Sequence, residues 1–554
     1  MPVPRPTPRL QPGSDSPTVA VRMGKRGGSA DRGWRAAVGA LVGAAALAGC
    51  GASSNVPSSQ SSPSGSTLPS VPPPTVPGPW DWPTYGHDAQ HTFHGRTTLT
   101  ESSVKTLRKA WFFPTADAVT ATPTVVDGTV YVGSWDGNFY ALDLETGRLI
   151  WKVRLKPQNA VHPYPGEKPR DTSSDGGLVT SSAWFEPGAA GRPALVIFGG
   201  GYTLYALVAA TGAVYWEHDY PGRPGPPNPD VDGTRIFSSP VVADGDVIFG
   251  VDVDGATGYA GYIVAASLAT GDPVWEYQTD VVGDSGVLYD GCGSVWSSGT
   301  ILPDLGLVVF GTADCDFKNS EPLSDAVIAL HIASGQPAWV YRPSLPDLEC
   351  DWDFGATANA GVDAQGSTTF LGLGGKDGTY YSLDPATGQL RWATNVVFGG
   401  FAGGFIATTA YDGRRVYGAT AIGDFGRFES NGPRLCDPSN PRDTAAQNPT
   451  DHAFDARTGQ VVWQENGVSS FAPTTVAGGM VFNGLGLAKV VLQVRDATTG
   501  KLIVQVPLPQ SNWSGVATVG NALVLGVGTT YSPVSTGVEV LTPGGASPAV
   551  PRSG

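Results

Sequence analysis

The chain has 554 residues, 75 of them Gly and 47 Pro, and a formal net charge of −15. Charged residues make up only 15% and aromatic residues 10%, which excludes a disordered chain and suits a turn-rich all-β protein. Residues 1–49 hold seven Lys/Arg against two Asp, so the acidity lies beyond them, and no basic stripe remains to bind nucleic acid.

In chain order, Arg22, Lys25, Arg26, Arg32 and Arg35 precede an apolar run from Ala36 to Gly49. Basic residues, a short apolar stretch and small residues at its end describe a secretory signal peptide over 1–49. The run is about 14 residues, short of the roughly 18–20 that span a bilayer. Leu47-Ala48-Gly49-Cys50 resembles the lipobox of bacterial lipoproteins, which implies an exported protein held on the extracytoplasmic side of the cell membrane through lipidated Cys50. An ordinary cleaved signal with an incidental Cys is the alternative. Residues 50–79 are rich in Ser and Pro, cannot bury a core and read as a tether.

From residue 80 to 546 one unit repeats. In Leu142-Asp143-Leu144-Glu145-Thr146-Gly147-Arg148-Leu149-Ile150-Trp151, two strands flank a Thr-Gly turn, with Trp four residues after the Gly. The same spacing recurs at Gly212 and Trp216, Gly271 and Trp275, Gly335 and Trp339, Gly388 and Trp392, and Gly459 and Trp463, whereas Gly500 is followed by Val504. Gly accepts the positive φ of a tight turn, and Asp four residues before it (Asp143, Asp384, Asp455, Asp496) can accept turn amides. Strand-rich repeats at this period predict a propeller. Strands at 119–126, 129–135, 138–144 and 148–154 make the first four-stranded blade. The last unit, 514–543, has three strands, and Lys105–Pro114 is the expected fourth. The fold class is therefore an all-β, eight-bladed β-propeller closed by an N-terminal strand. Seven blades is the alternative, and 547–554 reads as a disordered tail.

Long connections fall between strands D and A (156–176, 221–234, 281–293, 343–353) and between B and C (252–260, 312–325, 421–451). Both open on one face, which marks it as the functional face. Apart from Cys50 there are four Cys, an even number that in an exported protein suggests two disulfides. Of three connectivities, Cys292–Cys315 with Cys350–Cys436 is favoured; a zinc site is the alternative. His87, His91 and His94 are spaced like helical metal ligands, but the Thr and Gly around them argue against a helix.

Trp82-Pro83-Thr84-Tyr85-Gly86-His87-Asp88, the repeat, Val295-Trp296-Ser297-Ser298 and Asp351-Trp352-Asp353-Phe354-Gly355-Ala356 together resemble the pyrroloquinoline-quinone (PQQ) dependent alcohol dehydrogenases, in particular the polyvinyl-alcohol dehydrogenases. The resemblance implies that Trp296 is the floor under the planar quinone, that Ser294 lies with it in the cofactor site, that Asp353 is the base taking the alcohol proton, and that Lys376 contacts a quinone oxygen. The structural readings of these residues are a channel-plugging Trp, a turn Asp and a solvated hairpin Lys. The family binds Ca²⁺ beside the quinone. Its carboxylate position falls near Asp252 or Asp254, and its Asn position falls on Cys315, a poor ligand for a hard cation that Asp314 or Asp316 could replace. No adjacent Cys pair and no Cys-x-x-Cys-His occur. A haem domain is therefore not expected, and electrons would pass to a separate acceptor. The alternative function is a cofactor-free lipoprotein of the same scaffold that binds or assembles envelope proteins.

Overall fold

The computed structural model describes residues 76–551 except 157–178, 224–233, 254–258, 281–291, 315–321, 345–351, 398, 401–402, 422–448, 468, 485–489 and 530–531. The leader, Cys50 and most of the tether thus lie outside the described residues. Among the described residues no helix is long and apolar enough to cross a membrane.

Among the described residues eight four-stranded antiparallel sheets form eight blades, the seventh extended by His94–Gly95, which pairs parallel with Thr475–Ala477. Blade one runs Thr124–Val126, Thr129–Gly133, Asn138–Asp143 and Leu149–Arg154 as strands A to D. In blade eight, strands Ala517–Val519, Ala522–Thr529 and Ser532–Pro543 are completed by Leu107–Pro114 from the other end of the propeller sequence, paired antiparallel from Leu107 opposite Pro543 to Pro114 opposite Gly537 with a shift of register between Lys109 and Trp111. The A strands of neighbouring blades touch from blade one through blade seven and from blade eight to blade one, and His94–Gly95 bridges blades seven and eight by pairing with Thr475–Ala477 and touching Ala517–Val519, so together they form the inner wall. The tail expected from 547 begins with an ordered stretch. Asn521 N–H donates to the Ala549 carbonyl, Ala549 N–H donates to the Asn521 side chain, and Val550 packs on the core.

The repeated Trp holds the blades to each other. Each indole lies on the Thr-Gly turn of the following blade, and its Nε1–H donates to a carbonyl there: Trp111 to Leu144, Trp151 to Ala209, Trp216 to Leu268, Trp275 to Ile332, Trp339 to Pro385, Trp392 to Ala456 and Trp463 to Ala497, at 2.7–3.1 Å. The turn glycines sit at φ 66–79°, and a Cβ on any of them would come within 3.0 Å of the indole above. Glycine is therefore required twice, for the turn and for the contact.

Val504 also finds its reason here. Blade eight receives its strand D from the N-terminus, so it has no Thr-Gly turn for a Trp of blade seven to rest on. A short helix, Glu101–Val104, takes that place, capped by Thr100 and Ser103 and touching Leu502–Pro507. Val104, Leu107 and Leu508 bury there, with Val504 packed against them.

A second ring of bonds runs inside. Two residues before each strand A, a hydroxyl accepts the backbone N–H of the preceding blade. Gly515 donates to Thr122, Thr122 to Ser182, Ser182 to Ser239, Ser239 to Ser298, Ser298 to Thr357 and Thr357 to Thr408, at 2.9–3.1 Å. The ring breaks at blade seven, where the position is Pro473, with neither donor nor hydroxyl, and is not bridged onward because Gly515 has no side chain. Blades six and seven are fastened instead by Asp451, which accepts from Asn483 and Gln493 and pairs with Arg495 at 3.1 Å.

The segment 82–95 plugs the end of the channel away from the long connections. Its backbone bonds to Val125, Phe185, Ile301, Ala360, Tyr411 and Val476, at the A strands of six blades. His91 is buried in it, with ring nitrogens 2.8 Å from the carbonyls of Tyr85 and Gly299. Each ring nitrogen faces a carbonyl oxygen inside the plug, so His91 acts as a fastener there and neither nitrogen is open towards a metal.

The docking account predicts unequal costs for equal substitutions. Gly366 has φ 84° and open space around it, whereas Gly335 has φ 66° and lies under Trp275. Gly366→Ala is expected to cost about 1 kcal/mol, and Gly335→Ala on the order of 3 kcal/mol because the indole is displaced as well. Thermal unfolding of the two variants measures the difference, and equal losses would contradict the docking role.

Candidate active site

Around the channel mouth, the residue two positions before each ring hydroxyl points the same way along strand A. In blade four that residue is Trp296, and in blade five it is Gly355. A Cβ on Gly355 would overlap the Trp296 ring, so only glycine lets the indole lie flat across blade five. The indole then reaches Asp353, donating from Nε1 to Oδ2 at 3.1 Å. Lys376 pairs with Oδ1 of the same carboxylate at 3.1 Å, and its Nζ stands 5.7 Å from the centre of the Trp296 ring. Trp296, Asp353 and Lys376, each expected from the sequence, thus meet at one point on the face of the long connections.

Lys376 sits at the tip of the B-to-C hairpin of blade five. Its N–H donates to the Asp353 carbonyl at 3.0 Å. Asp377 sets the turn, accepting from Thr379 N–H at 3.1 Å and from the Tyr381 hydroxyl at 2.7 Å, and Gly378 supplies φ 85°. Gly399 and Gly400 brace the hairpin, Gly399 N–H donating to the Asp377 carbonyl at 3.2 Å and Gly400 N–H to the Lys376 carbonyl at 2.9 Å. Gly399 and Gly404 approach that carbonyl closer than a Cβ permits. Blade one carries the same hairpin, where Asp136 accepts from Asn138 and Tyr140, and Trp135 occupies the position of Lys376. The turn is generic; the lysine is what blade five adds.

The pair is almost dry, with the side chains of Lys376 and Asp353 6% and 3% exposed. Burial lifts the Asp353 carboxyl above its ordinary value, and Lys376 is the largest influence pulling it back down, followed by the Trp296 hydrogen bond and the amide of Asp314. A buried carboxylate held by a lysine and an indole N–H, beside a flat aromatic face, can accept a proton from a bound group while a planar ligand rests on the indole.

Ser294 is buried, its hydroxyl donating to Asp252 Oδ1 at 2.5 Å and accepting from Val253 N–H at 2.7 Å. It ties the Asp252 loop in place, and its carbonyl accepts the amide of Ala313 at 2.7 Å. Asp314 contributes backbone, its carbonyl accepting from Gly293 and its amide reaching the Asp353 carboxylate. Among the described residues no three His, Cys, Asp or Glu gather where a metal ion could sit. Asp254, Asp316, Cys315, Cys350 and Cys436 lie outside the described residues; Cys292 is disulfide-bonded. Several residues here carried no sequence expectation of their own: Gly355 stood inside a quoted motif, and Gly399, Gly400, Gly404 and Asp325 had none.

Compared with known proteins, residues 82–396 match the model of the glucose/ethanol/alcohol dehydrogenase β-propeller domain. Residues 324–512 match that of the outer membrane protein assembly factor BamB. A quinohemoprotein alcohol dehydrogenase of Pseudomonas putida is 26% identical over 359 residues, 58% of this chain and 46% of its own. A polyvinylalcohol dehydrogenase of a Pseudomonas species is 25% identical over 384 residues, 63% of this chain and 56% of its own. The chain spans about half the length of the curated relatives it matches. The crystal structure of the quinohemoprotein alcohol dehydrogenase from Comamonas testosteroni superposes with a TM-score of 0.63 at 21% identity, covering 86% of this chain and 82% of that one, which shows the shared fold.

The Asp353–Lys376 pair fixes the sign of a pH effect. A carboxyl raised in the folded state favours folding most in acid, and that contribution fades as pH rises through its folded value. Lys376→Met removes the main opposing charge and raises Asp353 further. The variant is expected to be close to wild type in thermal midpoint near pH 4 and destabilised by on the order of 3–5 kcal/mol near pH 8. A pH-independent loss would show that the pair is not ionic.

Proposed function

The chain belongs to the PQQ-dependent glucose/ethanol/alcohol dehydrogenase β-propeller family, and from that premise we propose that it oxidises an alcohol at the Trp296–Asp353–Lys376 site. The observation that carries the proposal is the buried carboxylate shared between a lysine and the edge of a flat indole. The residues fit the cofactor: the flat, half-buried indole, which the missing Cβ of Gly355 lets lie across blade five, suits a tricyclic ring, and Lys376 stands over the indole. When bound, PQQ supplies a quinone carbon that accepts a hydride. The protein does the rest. Asp353 takes the proton of the alcohol hydroxyl, Trp296 holds Oδ2 in line, and Lys376 opposes the rise that burial gives the Asp353 carboxyl and orients a ligand oxygen. Ca²⁺ would sit at Asp252, the one carboxylate that Ser294 holds at this mouth, and take its other oxygens from groups beyond the described residues or from the cofactor. Electrons leave to a separate acceptor. A second reading, a cofactor-free envelope scaffold, draws support from the BamB match and from Cys315 at the family's Asn position.

Purified protein given PQQ and Ca²⁺ is expected to bind the quinone stoichiometrically and to gain dye-linked alcohol oxidation. Asp353→Asn should lower kcat by about 10²-fold or more while PQQ stays bound. Because the base must be ionised, the acid limb of the rate profile should lie above the ordinary carboxylate range. Absence of PQQ uptake leaves the scaffold reading.

We also propose that Cys50 carries a lipid anchor, on the strength of the lipobox. Cys50→Ser is expected to move the protein from the membrane to the soluble fraction, which fractionation measures.

A further inference from the structure

A proton taken by Asp353 has to leave a site that is nearly sealed, and one further carboxylate stands where it would go. Asp325 closes the B-to-C connection of blade four. Its N–H donates to the carbonyl of Ala313 at 3.0 Å, and the next amide, that of Asp314, reaches the Asp353 carboxylate. The backbone of Asp325 and the carboxylate of Asp353 therefore bond to adjacent residues of one strand end, and the charge of Asp353 is felt at the Asp325 carboxyl. Asp325 Oδ1 is buried and has no hydrogen-bond partner among the described residues. The residue holds φ 49°, a conformation that costs a non-glycine on the order of 1 kcal/mol, so the loop bears strain to keep it there.

Exposure sets the direction. The Asp353 side chain is 3% exposed, that of Asp325 20%, and that of Arg342, whose Nη2 lies 3.5 Å from Asp325 Oδ2, 32%. Arg342 Nε also donates to the Ser324 carbonyl at 2.9 Å, which fixes the cation at the outer side. Among the described residues, the charged groups that face Asp325 are Asp353, Lys376 and Arg342.

We infer that Asp325 is the proton outlet of the site, taking the proton from Asp353 and releasing it to solvent beside Arg342. The inference rests on Asp353 acting as the base. The step is a transfer alone: the Asp353 acid and the Asp325 carboxylate become the Asp353 carboxylate and the Asp325 acid, through a water at the vacant lone pairs of Oδ1. Solvent then takes the proton from Asp325, and no redox partner is needed. Burial, followed by the charge of Asp353, raises the Asp325 carboxyl to about 6, well matched to receiving and releasing a proton near neutrality. Asp325 is a relay and positioning residue, since it acts through Asp353.

Two measurements on the full chain test this. Without cofactor, infrared spectra of protein carrying ¹³C-labelled Asp should show one carboxyl titrating near pH 6 that is absent in Asp325→Asn. In Asp353→Asn the same band should titrate at lower pH. With PQQ loaded, Asp325→Asn should lower kcat about tenfold with KM and bound PQQ unchanged, and Asp325→Glu or added formate should restore it. An anchor for Arg342 alone would show lower thermal stability and an unchanged pH profile, which overturns the inference. If Asp353→Asn abolishes oxidation while Asp325→Asn matches wild type with and without formate, the outlet fails and the base stands. If wild-type protein takes up no PQQ, both fall together.

Discussion

One contact organises this molecule: an indole of each blade lying on the glycine of the next blade's turn. It demands the φ > 0 turn, the missing Cβ and the Trp spacing at once, so the three recur together. Because each dock joins consecutive blades, the contact converts a linear repeat into a ring and sets the phase of every strand. The phase sends the short C-to-D turns to one face and the variable connections to the other. Where the ring must be closed by two chain ends, the contact cannot form, and the chain replaces Trp with Val504 and fills the space with a capped helical turn. Blade seven is also where the inner ring of hydroxyl bonds stops, and a buried Asp451–Arg495 pair with two amide partners joins it to blade six.

Chemistry is built on this frame by small departures from it. Six A strands carry a ring hydroxyl, and two residues nearer the mouth each blade has a free choice of side chain. Blades four and five spend that choice on Trp296 and Gly355, which are useful only together. The hairpin that presents Lys376 is the one that presents Trp135 on blade one, down to the Asp that accepts from the amide two residues on and the tyrosine hydroxyl four residues on. The site therefore needs no special fold. It needs a charge placed on an existing hairpin, a carboxylate brought opposite by the preceding connection, and low water access to make their interaction strong.

Much of this was legible in the amino-acid sequence because it is periodic. The Gly-to-Trp spacing marked the blade, the three-stranded last unit pointed to Lys105–Pro114, of which Leu107–Pro114 forms the strand, and the insertions fell on one face. Trp296, Asp353 and Lys376 were legible through family motifs, and the structure brings them together. Other features were not legible, for physical reasons. Asp325 has no local signature, since its position depends on backbone bonds to Ala313 and on the charge of a residue 28 positions away. The bonds of the Ser294 hydroxyl to Asp252 and Val253 close one connection on another, which sequence spacing does not encode. The His87, His91 and His94 spacing resembled a metal motif, and only the carbonyls of Tyr85 and Gly299 show that His91 is a fastener.

The central claim is that a planar quinone rests on Trp296 beside the Asp353–Lys376 pair. An experimental structure of the protein after addition of PQQ and Ca²⁺ tests it most directly. The account predicts density for a tricyclic ring stacked on the Trp296 indole, with an oxygen in hydrogen-bond reach of Lys376 Nζ and Asp353 open to the same space. A channel mouth closed over Trp296 by the protein's own side chains, with no quinone bound, would contradict it.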